Sequence, residues 1–143
     1  MERVATRKRP VLAASGLVVH AGNVLLVRRA YPPYEGKWAL PGGAVEFWER
    51  LEEAVKREVL EETGVEVKPL KVHGIYEIMV EEKGRKYHFV VLCFLCDYLR
   101  GEPKPGTDAS EVKWFGLGEV LSAELTPSTA KAIKELLNRN GLG

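Results

Sequence analysis

GAVEFWERLEEAVKREVLEETGV, residues Gly43 to Val65, is the stretch on which the fold turns. Residues 50 to 63 carry apolar side chains at helical spacing, and Gly64 stands where a helix C-terminal glycine belongs. On a helical wheel with Leu51 at zero, Val55 falls at about +40°, Ala54 at about −60° and Val59 at about +80°, an apolar stripe that must face the protein. Glu58 and Glu62 fall at about −20° and +20°, in the middle of that stripe, and Glu61 lies at its edge at about −80°. Glu52, Glu53 and Lys56 fall on the outer side.

Burying an unpaired carboxylate costs several kcal/mol even after relaxation, and carboxylates gathered within about one helical turn repel one another. The pattern therefore asks for a cation. Hard divalent ions such as Mg²⁺ or Mn²⁺ take oxygen ligands and supply that charge. Two other readings compete: a solvated helix face with i,i+4 pairs such as Arg57 with Glu61, and a buried arginine in place of the ion. The first explains Glu52, Glu53 and Lys56 but not Glu58 and Glu62.

Upstream of this helix, residues 11 to 19 and 23 to 30 read as paired strands around an Ala21-Gly22-Asn23 turn. A loop from Tyr31 to Gly43, YPPYEGKWALPGG, follows. Downstream come strand-like segments near 65 to 80 and 86 to 98, a loop from Gly101 to Ser110, and a short strand EVKWF. Thr126 can cap and Pro127 suits a first helical position, with Ala130, Ile133 and Leu137 recurring at helical spacing to about Asn138. Strands separated by helices, without repeats or low-complexity linkers, predict one domain over residues 1–143, α/β (α+β), with a mixed sheet flanked by helices.

A formal net charge of +1 with 29% charged residues gives no electrostatic footprint for nucleic acid. No apolar run approaches membrane-spanning length. Residues 1–10, MERVATRKRP, precede an apolar stretch and imitate a leader, but the second apolar run VLLV fits a hairpin better, so a cytoplasmic protein with a basic arm, Arg7-Lys8-Arg9, is expected. Cys93 and Cys96 sit three apart in a strand-like run and so face opposite sides; they read as buried small hydrophobes. Glutamine is absent and asparagine occurs only at Asn23, Asn138 and Asn140, a bias similar to thermophile composition.

The quoted segment resembles the Nudix box: G, five residues, E, seven residues, REU, any residue, EE, any residue, GU, with U a bulky aliphatic. Gly43, Glu49, Arg57, Glu58, Val59, Glu61, Glu62, Gly64 and Val65 fill every specified position. VLLVRR before the box, GKWALPGG leading into it and a late strand ending in Trp114-Phe115 extend the resemblance over nearly the whole chain. The resemblance implies an α/β/α sandwich of the Nudix type, with Glu58 and Glu62 as principal ligands of Mg²⁺ or Mn²⁺. Glu61 would be a further ligand or position water, Glu49 and the Gly43 carbonyl would complete the shell, and Arg57 would orient a box carboxylate. Two positions depart from the pattern: Trp48 stands where the family often has glycine, and Arg50 where it often has serine or threonine. Arg50 is a poor N-cap. Trp48 is read as packing, with a reach toward a substrate or a second subunit as the alternative.

The implied reaction is hydrolysis of a pyrophosphate bond in a nucleoside diphosphate derivative, with Glu61 or Glu111 as general base. One of Arg28 and Arg29 would grip phosphate while its neighbour points to the opposite face. Tyr31, Tyr34 and Trp38 are candidates to stack a base or ribose, and Gly42 to line the substrate path. His20, His73 and His88 read as structural or exposed. Val80 and Glu81 stand where many ADP-ribose pyrophosphatases carry a proline, and GKWALPGGAVE resembles both those enzymes and MutT-like ones, which ranks ADP-ribose or a related sugar nucleotide slightly ahead of an oxidised dNTP. A nucleotide-sensing module without turnover is the reading from another class, and a homodimer is the partner expectation.

Overall fold

The computed structural model describes residues 8–139. Residues 1–7, with Arg7 of the expected basic arm, lie outside that range, while Lys8, Arg9 and Pro10 are exposed and precede the first strand. The elements are β1 (Val11–His20), β2 (Asn23–Arg29), β3 (Trp38–Ala39), β4 (Gly42–Ala44), α1 (Leu51–Thr63), β5 (Glu66–Glu82), β6 (Arg85–Arg100), β7 (Ala109–Gly116), a 3₁₀ turn at Val120–Ser122, and α2 (Pro127–Arg139).

All seven strands join one mixed sheet in the order β3-β2-β1-β6-β5, with β4 also on β1 and β7 on β2. β1 runs parallel to β6 from Val11↔Phe89 to Val19↔Asp97, and the other pairs are antiparallel. The β1–β2 hairpin turns on Ala21 (φ 50°) and Gly22 (φ 78°), the two positive dihedrals that a two-residue turn needs. Its strands pair only at Val19↔Val24 and His20↔Asn23. Beyond that they separate: β4 takes the free edge of β1 at Ala13–Ser15, and β7 runs along β2. The separation opens a cleft in the sheet.

Alternation along the strands builds two apolar layers. Ala14, Val18, Phe94 and Cys96 pack under Ala54, Val55 and Val59 of α1. Leu17, Tyr76 and Cys93 pack under Ala132, Ile133, Leu136 and Leu137 of α2. This is an α/β/α sandwich, and the two cysteines, both free and buried, belong to different layers as their spacing implied.

The helix ends explain how α1 is held. Arg50 is extended (φ −72°, ψ 150°), and its N–H donates to the Glu53 carboxylate at 3.2 Å, which offsets its poor capping side chain. Gly64 (φ 75°) ends the helix. The N–H groups of Lys104 and Gly106 then donate to the carbonyls of Thr63 (2.8 Å) and Glu62 (2.9 Å), so the loop before β7 closes on the last turn of α1. For α2, the Thr126 carbonyl accepts from Ala130 N–H at 3.0 Å, while the Thr126 hydroxyl donates to Thr129 Oγ1 at 2.7 Å. Two expectations are corrected. Tyr31 to Gly43 is not one loop, because it contains β3 and β4, and the β5–β6 hairpin is longer at its tip than the apolar runs suggest. The charged residues Glu81, Glu82, Arg85 and Lys86 continue the ladder there, pairing Glu81↔Lys86 and Glu82↔Arg85.

Candidate active site

Glu62 leaves the last full turn of α1 toward the interior and is 8% exposed. Its Oε2 accepts the Gly42 N–H at 3.3 Å. Glu58, one turn earlier, hydrogen-bonds to it, and burial together with that neighbouring carboxylate drives the Glu62 carboxyl well above the usual range. Two glycines of β4 make this approach feasible. A Cβ on Gly43 would run into the Glu58 carboxylate, and one on Gly42 would meet the backbone of Ala14 and Ser15. The side-chain-free strand is a window between α1 and the cleft.

Arg57 gathers the remaining acids. Its Nε and Nη2 meet the two oxygens of Glu49 at 2.7 and 3.0 Å, and its Nη1 meets Glu58 at 2.6 Å and Glu61 at 3.0 Å. Nη2 also donates to the Ala44 carbonyl at 3.1 Å. The fork geometry holds the Glu49 carboxyl down to about 2 and raises the guanidinium in turn. The sequence left open whether an ion or an arginine neutralises the cluster, and here the arginine holds Glu49, Glu58 and Glu61. Among the described residues no three acidic, histidine or cysteine side chains are already drawn together around one point. Glu58 and Glu62 nevertheless fit a hard divalent cation: they are paired oxygen donors, one of them buried, and the glycine strand beside them lets the Glu58 carboxylate lie against its backbone.

The cleft beyond the glycine window is a cavity of about 380 Å³. Glu58, Glu62, Gly42 and Gly43 line one part, Arg29, Asp108, Tyr31 and Tyr34 another, and Ile78, Phe89 and Val91 supply an apolar wall. Arg29 and Arg28 do face opposite sides. Arg29 lies in the cavity, where desolvation lowers its pKa against the charges of Glu62, Glu82 and Asp108, and its Nε donates to the Pro33 carbonyl at 2.6 Å. Arg28 is exposed, with Nη1 on Glu111 at 2.9 Å and Nε on the Gly36 carbonyl at 2.9 Å.

Glu111 is therefore not brought to the carboxylates: it pairs across β2–β7 with Arg28 on the face turned away from Arg29. Trp38 does not line the cavity either. It is edge-on to Phe115 at 4.8 Å within the α2-side layer. Trp48 does not pack; it stands 93% exposed. The histidines are structural or superficial, His73 being buried with Nε2 on the Ala132 carbonyl at 2.9 Å and Nδ1 facing Arg139 at 3.1 Å. Asp108 is the cavity residue that the sequence reading missed. Its one signal was its place after Gly106 in the loop returning to β2, since Gly106 has its Cα against the Glu61 backbone and pins that loop to α1.

Paired helix carboxylates sharing one cleft with Arg29, and an arginine fork at Arg57 that holds the first of the pair, are the equipment of an enzyme that attacks phosphoric anhydrides. Comparisons with known proteins agree. The NUDIX domain family model matches residues 9–136. An ADP-ribose pyrophosphatase of Methanocaldococcus jannaschii is 35% identical over 133 residues, covering 92% of this chain and 76% of that protein. An oxidized purine nucleoside triphosphate hydrolase of Danio rerio is 36% identical over 109 residues, 76% of this chain and 68% of the relative. Among solved structures, a MutT NUDIX hydrolase from Burkholderia pseudomallei superposes with a TM-score of 0.80 at 29% identity, covering 90% of this chain and 99% of the other. The NUDIX domain of Shewanella oneidensis NrtR complexed with ADP ribose gives a TM-score of 0.75 at 25% identity, covering 95% and 92%. The chain belongs to the NUDIX family and is a Nudix pyrophosphohydrolase. Among the described residues no helix is long and apolar enough to cross a membrane.

Proposed function

We propose that the enzyme splits the pyrophosphate of a nucleoside diphosphate linked to a second group, with ADP-ribose or a related sugar nucleotide as substrate and Mg²⁺ or Mn²⁺ as cofactor. The observation that carries this reading is the Glu58–Glu62 pair sharing one cleft with Arg29 and an apolar wall. Glu58 and Glu62, with Glu49, Glu61 and the Gly43 carbonyl, would hold the ion, which when bound supplies positive charge against the diphosphate and acidifies water. Arg29 takes the phosphate oxygens, its reduced solvation making that charge-assisted contact stronger than one on the surface. Ile78, Phe89 and Val91 receive the base, with Tyr31 at the rim. Glu61 is the box candidate for the proton acceptor, and Asp108 takes the loop position that Glu111 does not occupy.

The M. jannaschii relative's name favours ADP-ribose, and the D. rerio relative's name keeps oxidised purine nucleoside triphosphates as the second reading. Assaying ADP-ribose, sugar nucleotides and oxidised dNTPs with each metal separates the two by kcat/KM. Turnover that survives Glu58→Gln with Glu62→Gln would overturn the mechanism. Tight nucleotide binding with no turnover of any substrate would assign the chain to sensing.

A further inference from the structure

The face of β5 and β6 that walls the cavity continues past it toward the hairpin tip. Ile78 and Phe89 pair across the ladder, and in successive two-residue steps the same face carries Val80 with Tyr87 and then Glu82 with Arg85. The Tyr87 ring stacks on Phe89, with centroids 6.4 Å apart and planes 12° from parallel, and the Arg85 guanidinium lies over Tyr87 at 5.6 Å. The half-buried Glu82 carboxylate reaches instead to Tyr34, whose N–H donates to its Oε2 at 3.0 Å. Tyr34 belongs to the segment that follows β2, on the other side of the cavity, and β1 and β6 lie between β2 and β5 in the sheet. Tyr34 takes φ 62°, a left-handed conformation unfavourable for a bulky side chain, and the bond to Glu82 offsets that cost.

We propose that Glu82 is a positioning residue for substrate, tying the segment before β3 across the cavity and thereby aiming Arg29. This rests on the reading of the cavity as the nucleoside diphosphate site. The link is a single peptide unit. Its N–H, from Tyr34, donates to Glu82, and its carbonyl, from Pro33, accepts the Arg29 Nε–H at 2.6 Å. A peptide unit is planar, so fixing the direction of the N–H fixes that of the C=O, and with it the plane of the guanidinium that faces the cavity. A carboxylate on the N–H also polarises the carbonyl, which strengthens the bond to Arg29. Without Glu82 the peptide is free to rotate as Tyr34 leaves its left-handed conformation, and the carbonyl turns away from Arg29. The base of the segment is held separately, by Gly36 N–H on the Arg29 carbonyl at 2.8 Å and by Arg29 N–H on the Lys37 carbonyl at 2.9 Å. Tyr31, Pro33 and Tyr34 all line the cavity, so the tie sets its rim as well as its arginine.

Steady-state kinetics on the best substrate of the panel above, with amide exchange followed by NMR, test this in Glu82→Ala and Glu82→Gln. Glu82→Ala should raise KM by about three- to tenfold with kcat within about twofold, because Arg29 grips ground state and transition state alike. Glu82→Gln keeps an oxygen acceptor for the Tyr34 N–H and should return KM to within about twofold of the wild type. The Tyr34 amide should exchange slowly in the wild type and in Glu82→Gln and fast in Glu82→Ala, while the Gly36 amide stays unchanged in all three. An unchanged KM in Glu82→Ala, a loss carried by kcat, or a Glu82→Gln as impaired as Glu82→Ala overturns the positioning role, and so does a Tyr34 amide that exchanges fast in the wild type. A wild type that turns over nothing in the panel sinks the reading of the cavity and this role with it. Normal wild-type turnover with an indifferent Glu82→Ala removes the positioning role alone.

Discussion

Burial of one carboxylate beside another ties the stability of the metal-free fold to pH through Glu62. Its folded pKa lies above the ordinary 4.5 because desolvation and the Glu58 hydrogen bond favour the neutral form. The folded state therefore holds this proton more tightly than the unfolded one. The stability it contributes is fully present below about 4.5 and drains away as pH rises toward the folded pKa. Glu49 has the opposite sign, its stability being present above 4.5 and lost as pH falls toward about 2. Urea titrations in chelator should show midpoints declining from pH 5 to 9, a decline flattened by Glu62→Gln and by saturating Mg²⁺ or Mn²⁺. A wild-type slope equal to that of Glu62→Gln would mean that the carboxyl titrates normally. The paired arginines give a second prediction at this scale. On the proposed role of Arg29, Arg29→Ala should raise KM by about tenfold or more, the loss expected of one charge-assisted phosphate contact worth about 1.5–3 kcal/mol. Arg28→Ala, which breaks an exposed pair with Glu111 and a hydrogen bond to the Gly36 carbonyl, neither of them in the cavity, should leave KM within about twofold.

At the scale of elements, α1 is placed by an unusually close approach to β1. A Cβ on Gly16 would lie 2.9 Å from Val59 Cγ2 and 3.5 Å from Val55 Cγ1, both on fully buried side chains. Gly16→Ala should therefore destabilise by about 1–3 kcal/mol through overpacking, and Val59→Ala by a similar amount through the cavity it leaves. The double variant fills one defect with the other. Chemical denaturation should find it more stable than the sum of the single losses predicts, and strict additivity would show that the helix is not seated on Gly16. This contact also shows what the sequence made legible. The extent of α1, its inward glutamates and its C-terminal glycine all follow from a period of 3.6, which local spacing records. β3 and β4 were missed because two- and three-residue strands are too short to show alternation, and their pairing is set by chain remote in sequence. Arg28 and Arg29 could be read as opposite but not assigned, because which face of β2 meets the cleft depends on β7.

The whole molecule is less legible still, because the cavity draws its walls from β1, β2, β4, α1, β5, β6, the loop at Asp108 and the start of α2. No spacing rule joins these segments, and so Asp108 escaped notice while Glu111, three residues on, drew it. The same assembly predicts how the molecule opens. Cys93 belongs to the layer under α2 and Cys96 to the layer under α1, and burial pushes their thiols up to about 11 and about 12. At pH 8 neither side chain is then a competent thiolate, and neither is exposed. A disulfide reagent can reach them only through opening. Both layers share β1 and β6 as a common wall, so neither helix can lift away without uncovering strands that the other layer needs. Labelling of Cys93→Ser and of Cys96→Ser should accordingly report the same opening free energy, equal to the global stability measured by urea. The raised thiol pKa values add a loss of stability above pH 9, where the unfolded thiols ionise first. If Cys96 labels at a lower free energy than Cys93, the α1 layer opens alone, and the carboxylate helix is then a separable unit of the fold.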